Sequence, residues 1–168
     1  GFTKVQVGER LEKNLGENFN KQSFLNNIEE GYIFPETYYF PVFVTTDEIL
    51  QEFKDERSKQ LRVLEEKFGS LPTRDEIILA SILEREARGL EDMKLVAGIL
   101  KNRLEVGMPL QVDATILYAK GWKEKVTFRD LEHDSECNTY DNRGLPPTAI
   151  SNPSIIALEA AMNPTNTK

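Results

Sequence analysis

The spacing of apolar side chains along the chain predicts a mostly helical protein. Apolar residues recur every three or four positions between Thr45 and Gly69, and Thr45 and Glu48 have the spacing of a capping box at the start of this stretch. We interpret it as a long scaffold helix that ends at Gly69. A second amphipathic helix is predicted before Gly107, where a glycine again offers a left-handed end. Its apolar positions are Met93, Leu95, Val96, Ile99, Leu100 and Leu104.

Between these two helices lies a segment that is apolar almost all round and yet contains two acids. It begins with Thr73 and Glu76, which are spaced as a capping box, and Gly89 offers a left-handed end. The two acids, Glu84 and Glu86, are near its end. At about 100° per residue they fall on different sides of the predicted helix, and Glu86 continues its apolar stripe. That stripe consists of Leu79, Ile82 and Leu83.

The two acids are expected to differ in pKa. Glu84 lies four residues before Arg88, and this order favours an ion pair that holds Glu84 ionised. Glu86 has Leu90 at the same offset, and both the helix dipole and desolvation by the stripe should raise its pKa. An acid that stays protonated near neutral pH suits general acid catalysis, as in enzymes that break glycosidic bonds. Periodicity alone equally allows two solvated glutamates at a fraying helix end.

The chain is expected to divide into an N-terminal lead-in and a helical core. The lead-in, residues 1–43, is predicted to contain short helices joined at Gly16 and Asn20. An aromatic run over residues 30–40 contains glycine and proline, and it is typical of an extended segment with a tight turn. The core is expected to occupy residues 44–168.

The last third of the chain is predicted to contain short helices around a long polar loop. Asp113 is placed to cap a short helix over residues 114–119, and another short helix is expected near Thr127. Residues 133–147 form the loop, whose amide, hydroxyl and aromatic groups suit sugar binding but also fit a turn-rich surface loop. A final helix is predicted from an N-cap, a first-position proline and an Asn-Pro end, namely Ser151 or Asn152, Pro153, and Asn163-Pro164.

Charge and cysteine content narrow the possible functions. The 168 residues include 21 basic and 28 acidic ones, a balance that argues against nucleic acid as a partner. With one cysteine and one histidine we expect no zinc site, no other metal and no cofactor. A nucleophilic pair of Cys137 and His133 is disfavoured because Asp134 and Glu136 should raise the pKa of the thiol. No apolar run approaches the roughly 20 residues of a membrane span, so any anchor is expected outside this chain.

A series of short motifs follows along the chain. The motifs are Glu30-Gly31-Tyr32-Ile33-Phe34-Pro35-Glu36-Thr37-Tyr38, Ala80-Ser81-Ile82-Leu83-Glu84-Arg85-Glu86, Asn102-Arg103-Leu104, Gly107-Met108-Pro109-Leu110-Gln111-Val112-Asp113-Ala114-Thr115, Tyr118, Asn138-Thr139-Tyr140, Gly144-Leu145-Pro146-Pro147, Ile150, Asn152-Pro153, and Ala157 through Asn163-Pro164. In this order they resemble the catalytic domain of the endolytic murein transglycosylases, bacterial lyases that cleave the glycan strands of peptidoglycan. The resemblance covers nearly the whole chain, and the ordered set is far more specific than any single motif.

The resemblance implies a fold and a cellular location. The expected fold is α+β but mostly helical, a lysozyme-like lytic-transglycosylase domain with short strands and a long active-site loop. In this family such a domain follows one transmembrane helix and a LysM-like subdomain, both expected outside residues 1–168. The catalytic domain is then expected on the extracellular or periplasmic side of the cell membrane. The implied partners are peptidoglycan glycan strands and, in addition, wall-synthesis enzymes.

The resemblance also implies a reaction. The catalytic glutamate of the family falls on Glu86, with Glu84 as the fallback. This acid would protonate the glycosidic oxygen between N-acetylmuramic acid and N-acetylglucosamine, while the substrate's acetamide stabilises the developing cation. It would then accept the proton of the C6 hydroxyl as that oxygen closes onto C1, which leaves a 1,6-anhydro end without water. Substrate contacts are expected from Gln111, Asp113, Asn138, Thr139 and Tyr140.

Two departures from the family pattern and two alternative functions complete the sequence-based picture. Ala114 stands where the family commonly has proline, and Cys137 stands where it commonly has tyrosine, so an aromatic contact with sugar is in doubt at that position. The first alternative is a muramidase-like hydrolase that uses Glu86 together with Asp113 or Glu84. A second carboxylate about 5 to 10 Å from Glu86 across a cleft would favour it. The other alternative is a non-catalytic scaffold that binds glycan or wall-synthesis proteins.

Overall fold

Helices make up most of the structure. The computed structural model describes residues 1–122 and 126–167. Its α-helices are α1 (Lys4–Leu15), α2 (Lys21–Asn27), α3 (Thr46–Phe68), α4 (Arg74–Glu86), α5 (Leu90–Glu105), α6 (Asp113–Ala119) and α7 (Ile155–Met162). Two short 3₁₀ helices, Gly16–Asn18 and Phe128–Glu132, follow α1 and precede the long loop. The mostly helical class predicted from the sequence is therefore confirmed.

The two predicted capping boxes form and fix the starts of α3 and α4. The backbone N–H of Thr45 donates to the Glu48 carboxylate at 2.8 Å, and the Thr45 hydroxyl accepts from the backbone N–H of Glu48 at 3.3 Å. The pair Thr73 and Glu76 repeats this arrangement at 2.7 and 3.2 Å. These bonds satisfy backbone N–H groups that a helix start otherwise leaves without partners. Gly69 ends α3 in the left-handed region, as expected.

Several predicted helix ends were wrong by a few residues. Helix α4 ends at Glu86 rather than at Gly89, because Ala87 is already extended and Gly89 instead precedes α5. The N-cap of α7 is Ser154, so the helix begins at Ile155 rather than at Pro153, the first helical position predicted from the sequence. Asp113 is the first residue of α6 rather than its side-chain cap. Helix ends fray, so local signals fix them only to within about two residues.

The expected short strands do not form among the residues that the structure describes. The one extended pairing there is an isolated antiparallel bridge between Pro109 and Arg143. A single bridge is enough to hold the chain after α5 beside the long loop, but it does not make a sheet. Within residues 1–122 and 126–167, no helix is long and apolar enough to span a bilayer.

In the part of the chain that the structure describes, most of the buried apolar side chains form two clusters. The main core joins α4, α5 and α7, together with the chain that precedes α6. Its members from α4 are Ile77, Leu79, Ala80, Ile82 and Leu83. Every residue of α4 from Ile77 to Leu83 is buried, which explains why that helix is apolar almost all round. The small side chains of Ala157, Ala160 and Ala161 are also fully buried, and they let α7 approach its neighbours closely.

The second cluster, which we call the N-terminal core, lies between α1, α2 and the first half of α3. Its centre is Phe24, which contacts the rings of Phe19 and Phe53. Helix α3 belongs to both clusters, because Phe53 is in the N-terminal core whereas Leu64 is in the main core. This shared helix makes residues 1–43 part of the packed structure.

Candidate active site

Glu86 occupies the last position of α4, three residues after the buried run of that helix ends at Leu83. Its side chain is exposed, but its Oε1 atom accepts a hydrogen bond from the backbone N–H of Ala114 at 3.4 Å. The pKa of Glu86 is raised, mainly because neighbouring protein atoms desolvate the carboxyl and further because Asp113 places a negative charge nearby. The Ala114 hydrogen bond and the charge of Arg85 oppose this rise. The predicted direction of the pKa shift is confirmed.

Asp113 and Tyr140 lie beside Glu86 and bind each other. The Tyr140 hydroxyl donates a hydrogen bond to Asp113 Oδ1 at 2.5 Å. Burial and this carboxylate raise the pKa of Tyr140 to about 12, and the negative charge of Glu86 contributes further. Tyr140 is therefore a neutral donor at every physiological pH. The fold thus brings together Asp113 and Tyr140, two of the predicted substrate-binding residues, with Glu86, the predicted acid.

Asn138 and Thr139 lie behind this group and are buried. The amide of Asn138 donates to the carbonyl oxygens of Leu131 and His133 at 2.8 and 3.0 Å and to Asp141 at 3.0 Å. Its side-chain oxygen accepts from the backbone N–H of Tyr140 at 3.0 Å. Because these bonds occupy the Asn138 amide fully, the residue orders the loop, and a direct contact with substrate is not supported.

Thr139 fixes the chain that carries Asp113. Its carbonyl oxygen accepts from the backbone N–H of Gln111 at 2.9 Å, and its hydroxyl accepts from that of Val112 at 3.0 Å. The hydroxyl also lies 2.9 Å from that of Thr115. Thr139 is 1% exposed, so its predicted contact with substrate is likewise not supported. Because Thr139 directly precedes Tyr140, these bonds bring Tyr140 next to Asp113, which lies 27 positions earlier in the sequence.

Gln111 is exposed and holds an unusual backbone conformation. Its φ of 53° lies in the left-handed region, which costs an amino acid with a side chain about 1 to 3 kcal/mol. The hydrogen bond from Gln111 to Thr139 helps to keep this conformation. Since its side chain faces solvent next to Asp113, Gln111 keeps its place among the candidate substrate contacts.

Glu84 is hydrogen-bonded to Ser154 and not to Arg88, the partner predicted from the sequence. Its Oε2 atom accepts hydrogen bonds from both the backbone N–H and the hydroxyl of Ser154, at 2.9 and 2.6 Å. The nitrogen of Gly1 lies 3.3 Å from its Oε1 atom. Arg88 comes after α4 has ended, so in the described part of the chain the predicted ion pair with Glu84 does not form. Glu84 therefore joins α4 to the start of α7.

Glu30 is a buried acid that the sequence patterns did not single out. It is 6% exposed and accepts hydrogen bonds from the backbone N–H of Lys4 at 2.8 Å and from the Asn152 amide at 3.3 Å. Burial raises its pKa to about 7. A glutamate at the start of an aromatic run was the available signal, but such a residue is usually solvated.

A cavity at the N-terminal end of the molecule does not contain this group of residues. It has a volume of about 760 Å³ and lies between α1 and the extended segment after Ile33, with mostly apolar walls. Its walls do not include Glu86, Asp113 or Tyr140. We place the candidate site at Glu86 nevertheless, because the acid with a raised pKa and the ordered polar partners are found there. A polymer such as a glycan strand can bind an open surface of this kind.

Cys137 lies close to the candidate site in the long loop, and its environment determines how reactive its thiol is. Burial and the charge of Glu136 raise the pKa of the Cys137 thiol, as predicted, so the thiol is a poor nucleophile. Within the described ranges, no three side chains of histidine, cysteine, aspartate or glutamate are arranged to hold a metal ion.

Comparison with known proteins gives consistent matches along the chain. The sequence matches the model of the YceG-like family over residues 1–168. An endolytic murein transglycosylase of Bacillus subtilis is 36% identical over 168 residues, which cover 94% of this chain and 46% of that protein. One of Streptococcus pneumoniae is 36% identical over 145 residues, which cover 81% of this chain and 26% of that protein. The chain thus spans about half the length of the first relative and a quarter of the second.

A solved structure agrees with the fold. The crystal structure of a yceG-like protein from Listeria monocytogenes superimposes with a TM-score of 0.84 at 30% sequence identity. The match covers 99% of this chain and 65% of that one.

Proposed function

Because this chain belongs to the YceG-like family, we propose that it is the catalytic part of an endolytic peptidoglycan lytic transglycosylase. Its relatives in Bacillus subtilis and Streptococcus pneumoniae carry the name endolytic murein transglycosylase. The observation that carries the proposal for this chain is Glu86, an exposed carboxyl with a raised pKa beside an ordered pair of polar residues. A single acid that can first donate and then accept a proton is what lytic transglycosylation requires.

In the proposed reaction Glu86 acts twice. The protonated carboxyl first donates its proton to the glycosidic oxygen that links N-acetylmuramic acid to N-acetylglucosamine, and the bond from that oxygen to C1 breaks. The substrate's own acetamide stabilises the positive charge that develops at C1. The Glu86 carboxylate then takes the proton of the C6 hydroxyl while that oxygen bonds to C1. The carboxyl is thereby restored, and the product carries a 1,6-anhydro end.

The surroundings of Glu86 suit both steps. Desolvation and the charge of Asp113 raise the pKa of the carboxyl and so favour the protonated form that the first step needs. The backbone N–H of Ala114 donates a hydrogen bond to the carboxyl oxygen and so supports the ionised form that exists between the two steps. Gln111, Asp113 and Tyr140 are the accessible residues that we assign to substrate binding.

Several finer features belong to the proposal. We assign residues 1–168 to one catalytic domain and its helical core to the lysozyme-like class. We further propose that a single transmembrane helix outside this chain holds the protein at the cell membrane, with the catalytic part on the outer side. Nascent glycan strands and wall-synthesis enzymes are the partners that such a position favours.

The alternative is a muramidase-like hydrolase. It is favoured by one observation, namely that Asp113 precedes the residue whose N–H binds Glu86 and so supplies a second carboxylate nearby. In a hydrolase, that carboxylate would activate water or attack C1, and the product would have a reducing end.

The test uses purified peptidoglycan and the full extracellular part of the protein. Mass spectrometry should detect 1,6-anhydromuramyl ends with the unmodified protein and none with Glu86→Gln, whose thermal unfolding should be unchanged. A matched control is Glu91→Gln, since Glu91 is an exposed carboxylate in the first turn of the neighbouring helix α5. Reducing ends as the only products would refute the lyase and favour the hydrolase. An active Glu86→Gln variant would refute the assignment of the acid.

A further inference from the structure

The Asp113 carboxylate is held at one oxygen and open at the other. Oδ1 accepts the hydrogen bond from the Tyr140 hydroxyl at 2.5 Å. Among the residues that the structure describes, no donor lies within hydrogen-bond distance of Oδ2, and the side chain is exposed. A carboxylate that is oriented by a neutral donor and still has a free acceptor is ready to bind an N–H group of a ligand.

The backbone around this pair is fixed from both sides. Thr139 binds the backbone N–H groups of Gln111 and Val112, the two residues before Asp113, and Tyr140 follows Thr139 directly. The buried Asn138 in turn accepts from the backbone N–H of Tyr140. Both partners are therefore attached to the same ordered backbone, and little further ordering is needed when a ligand binds.

The proposed reaction calls for an acceptor of one N–H group near Glu86. When the acetamide oxygen of the substrate attacks C1, positive charge builds up on the acetamide nitrogen, and an acceptor for its N–H stabilises that charge. Glu86 must contact the glycosidic oxygen, and Asp113 is one residue away from the N–H that binds Glu86. We propose that Asp113 accepts the acetamide N–H of the N-acetylmuramic acid whose bond is cleaved, and that Tyr140 positions Asp113 for this contact.

This inference rests on the proposed lytic transglycosylase function and adds no reactant. In the first step the acetamide oxygen bonds to C1 as the glycosidic bond breaks, and the Glu86 proton goes to the leaving oxygen. The N–H proton stays on nitrogen and is shared with Asp113 through a hydrogen bond. In the second step O6 bonds to C1, the bond from the acetamide oxygen to C1 breaks, and the C6 hydroxyl proton returns to Glu86.

The first experiment measures turnover of purified glycan strands by the full extracellular protein. Asp113→Asn should lower kcat by about 100-fold with little change in KM, as expected for loss of one charge-stabilising contact. Tyr140→Phe should lower it by about tenfold, since Asp113 remains but is less well oriented. Because Tyr140 acts through Asp113, the double variant should be no slower than Asp113→Asn alone. Asp134→Asn, which changes an exposed acid in the same loop, is the control.

The second experiment separates a contact with the acetamide from a general structural effect. The probe is the thiazoline of N-acetylmuramic acid in its N-protonated form, whose five-membered ring and N–H group mimic those formed when the acetamide closes onto C1. Calorimetry should show at least tenfold weaker binding to Asp113→Asn and unchanged binding to Glu86→Gln.

The outcomes distinguish this inference from the function on which it rests. Full activity of Asp113→Asn, equal probe binding by all variants, or multiplied losses in the double variant would overturn the role of the pair. The lyase function would survive these results as long as the unmodified protein produced 1,6-anhydro ends. Absence of such ends with the unmodified protein would overturn the proposed function itself.

Discussion

The hydrogen bonding and the pKa of an acid in this molecule depend on the atoms around it more than on its place in a helix. Glu84 and Glu86 are two residues apart, yet one accepts two hydrogen bonds from Ser154 while the other faces solvent with a raised pKa. Helical spacing separated the two acids correctly. It could not identify Ser154 as the partner, because that residue lies 70 positions away and is brought near by the packing of α7 on α4.

Glu30 illustrates the cost of a buried charge. Its pKa is about 7 in the folded protein against an ordinary value of 4.5, so the folded protein binds a proton more strongly than the unfolded chain does. The stability that this proton contributes is fully present below pH 4.5 and is lost as the pH rises through 7. A shift of this size corresponds to about 3 to 4 kcal/mol.

We therefore predict that Glu30→Gln stabilises the protein at pH 8. A glutamine oxygen can accept the same two hydrogen bonds, from the backbone of Lys4 and from Asn152, without a charge to bury. The melting temperature of the variant should exceed that of the unmodified protein by several degrees at pH 8, and the two should converge near pH 4. Thermal unfolding followed by circular dichroism across this range measures the difference. Glu29→Gln, an exposed neighbour, should show no such trend, and a variant less stable at pH 8 would contradict the assignment.

At the scale of elements, the long loop is ordered by a few side-chain hydrogen bonds in place of a sheet. The Thr115 hydroxyl donates its one proton to the carbonyl oxygen of Val112 at 2.7 Å. In the contact between the two threonines, Thr139 must therefore be the donor, and its oxygen accepts from Val112 at the same time. The Thr139 hydroxyl thus connects the loop to the start of α6 both as a donor and as an acceptor.

Replacing Thr139 by valine should loosen this connection. The substitution keeps the shape of the side chain but leaves the backbone N–H of Val112 without its partner, a loss of about 1 to 3 kcal/mol for a buried group. We expect a lower midpoint in urea unfolding and reduced turnover of glycan strands, since Asp113 is no longer held in place. Thr139→Ser, which retains the hydroxyl, should recover most of both quantities. Equal damage from serine and valine would indicate that packing of the methyl group matters instead.

The elements themselves were predictable where local chemistry decides them. The capping boxes of Thr45 and Thr73 and the left-handed Gly69 depend on neighbouring residues alone, and all three were identified correctly. The loop was identified as unusually long, but its residues Asn138 and Thr139 were assigned to substrate when they are buried. Polar residues in a loop look alike in sequence whether they face a ligand or the protein interior. The short strands were expected from the family resemblance and are reduced to one bridge.

On the scale of the whole molecule, α3 joins two cores that would otherwise be separate. Its first half packs on α1 and α2, and its second half packs in the main core that supports Glu86. The segment after Glu30 makes a second connection, because Ile33 is buried in the N-terminal core and Phe34 in the main core. A rupture of either core therefore removes contacts from a helix on which the other depends.

This arrangement predicts that the two cores unfold together. Phe24→Ala creates a cavity in the N-terminal core and Ile82→Ala one in the main core, at positions with no solvent exposure. Each should cost about 2 to 5 kcal/mol and lower the midpoint of one common transition, seen alike by circular dichroism and by the fluorescence of Trp122. Val106→Ala, at a 78% exposed position, should change stability by about 0.5 kcal/mol or less. Two separate transitions, with Phe24→Ala shifting only one of them, would show that α3 does not couple the cores and that residues 1–43 fold independently of the site.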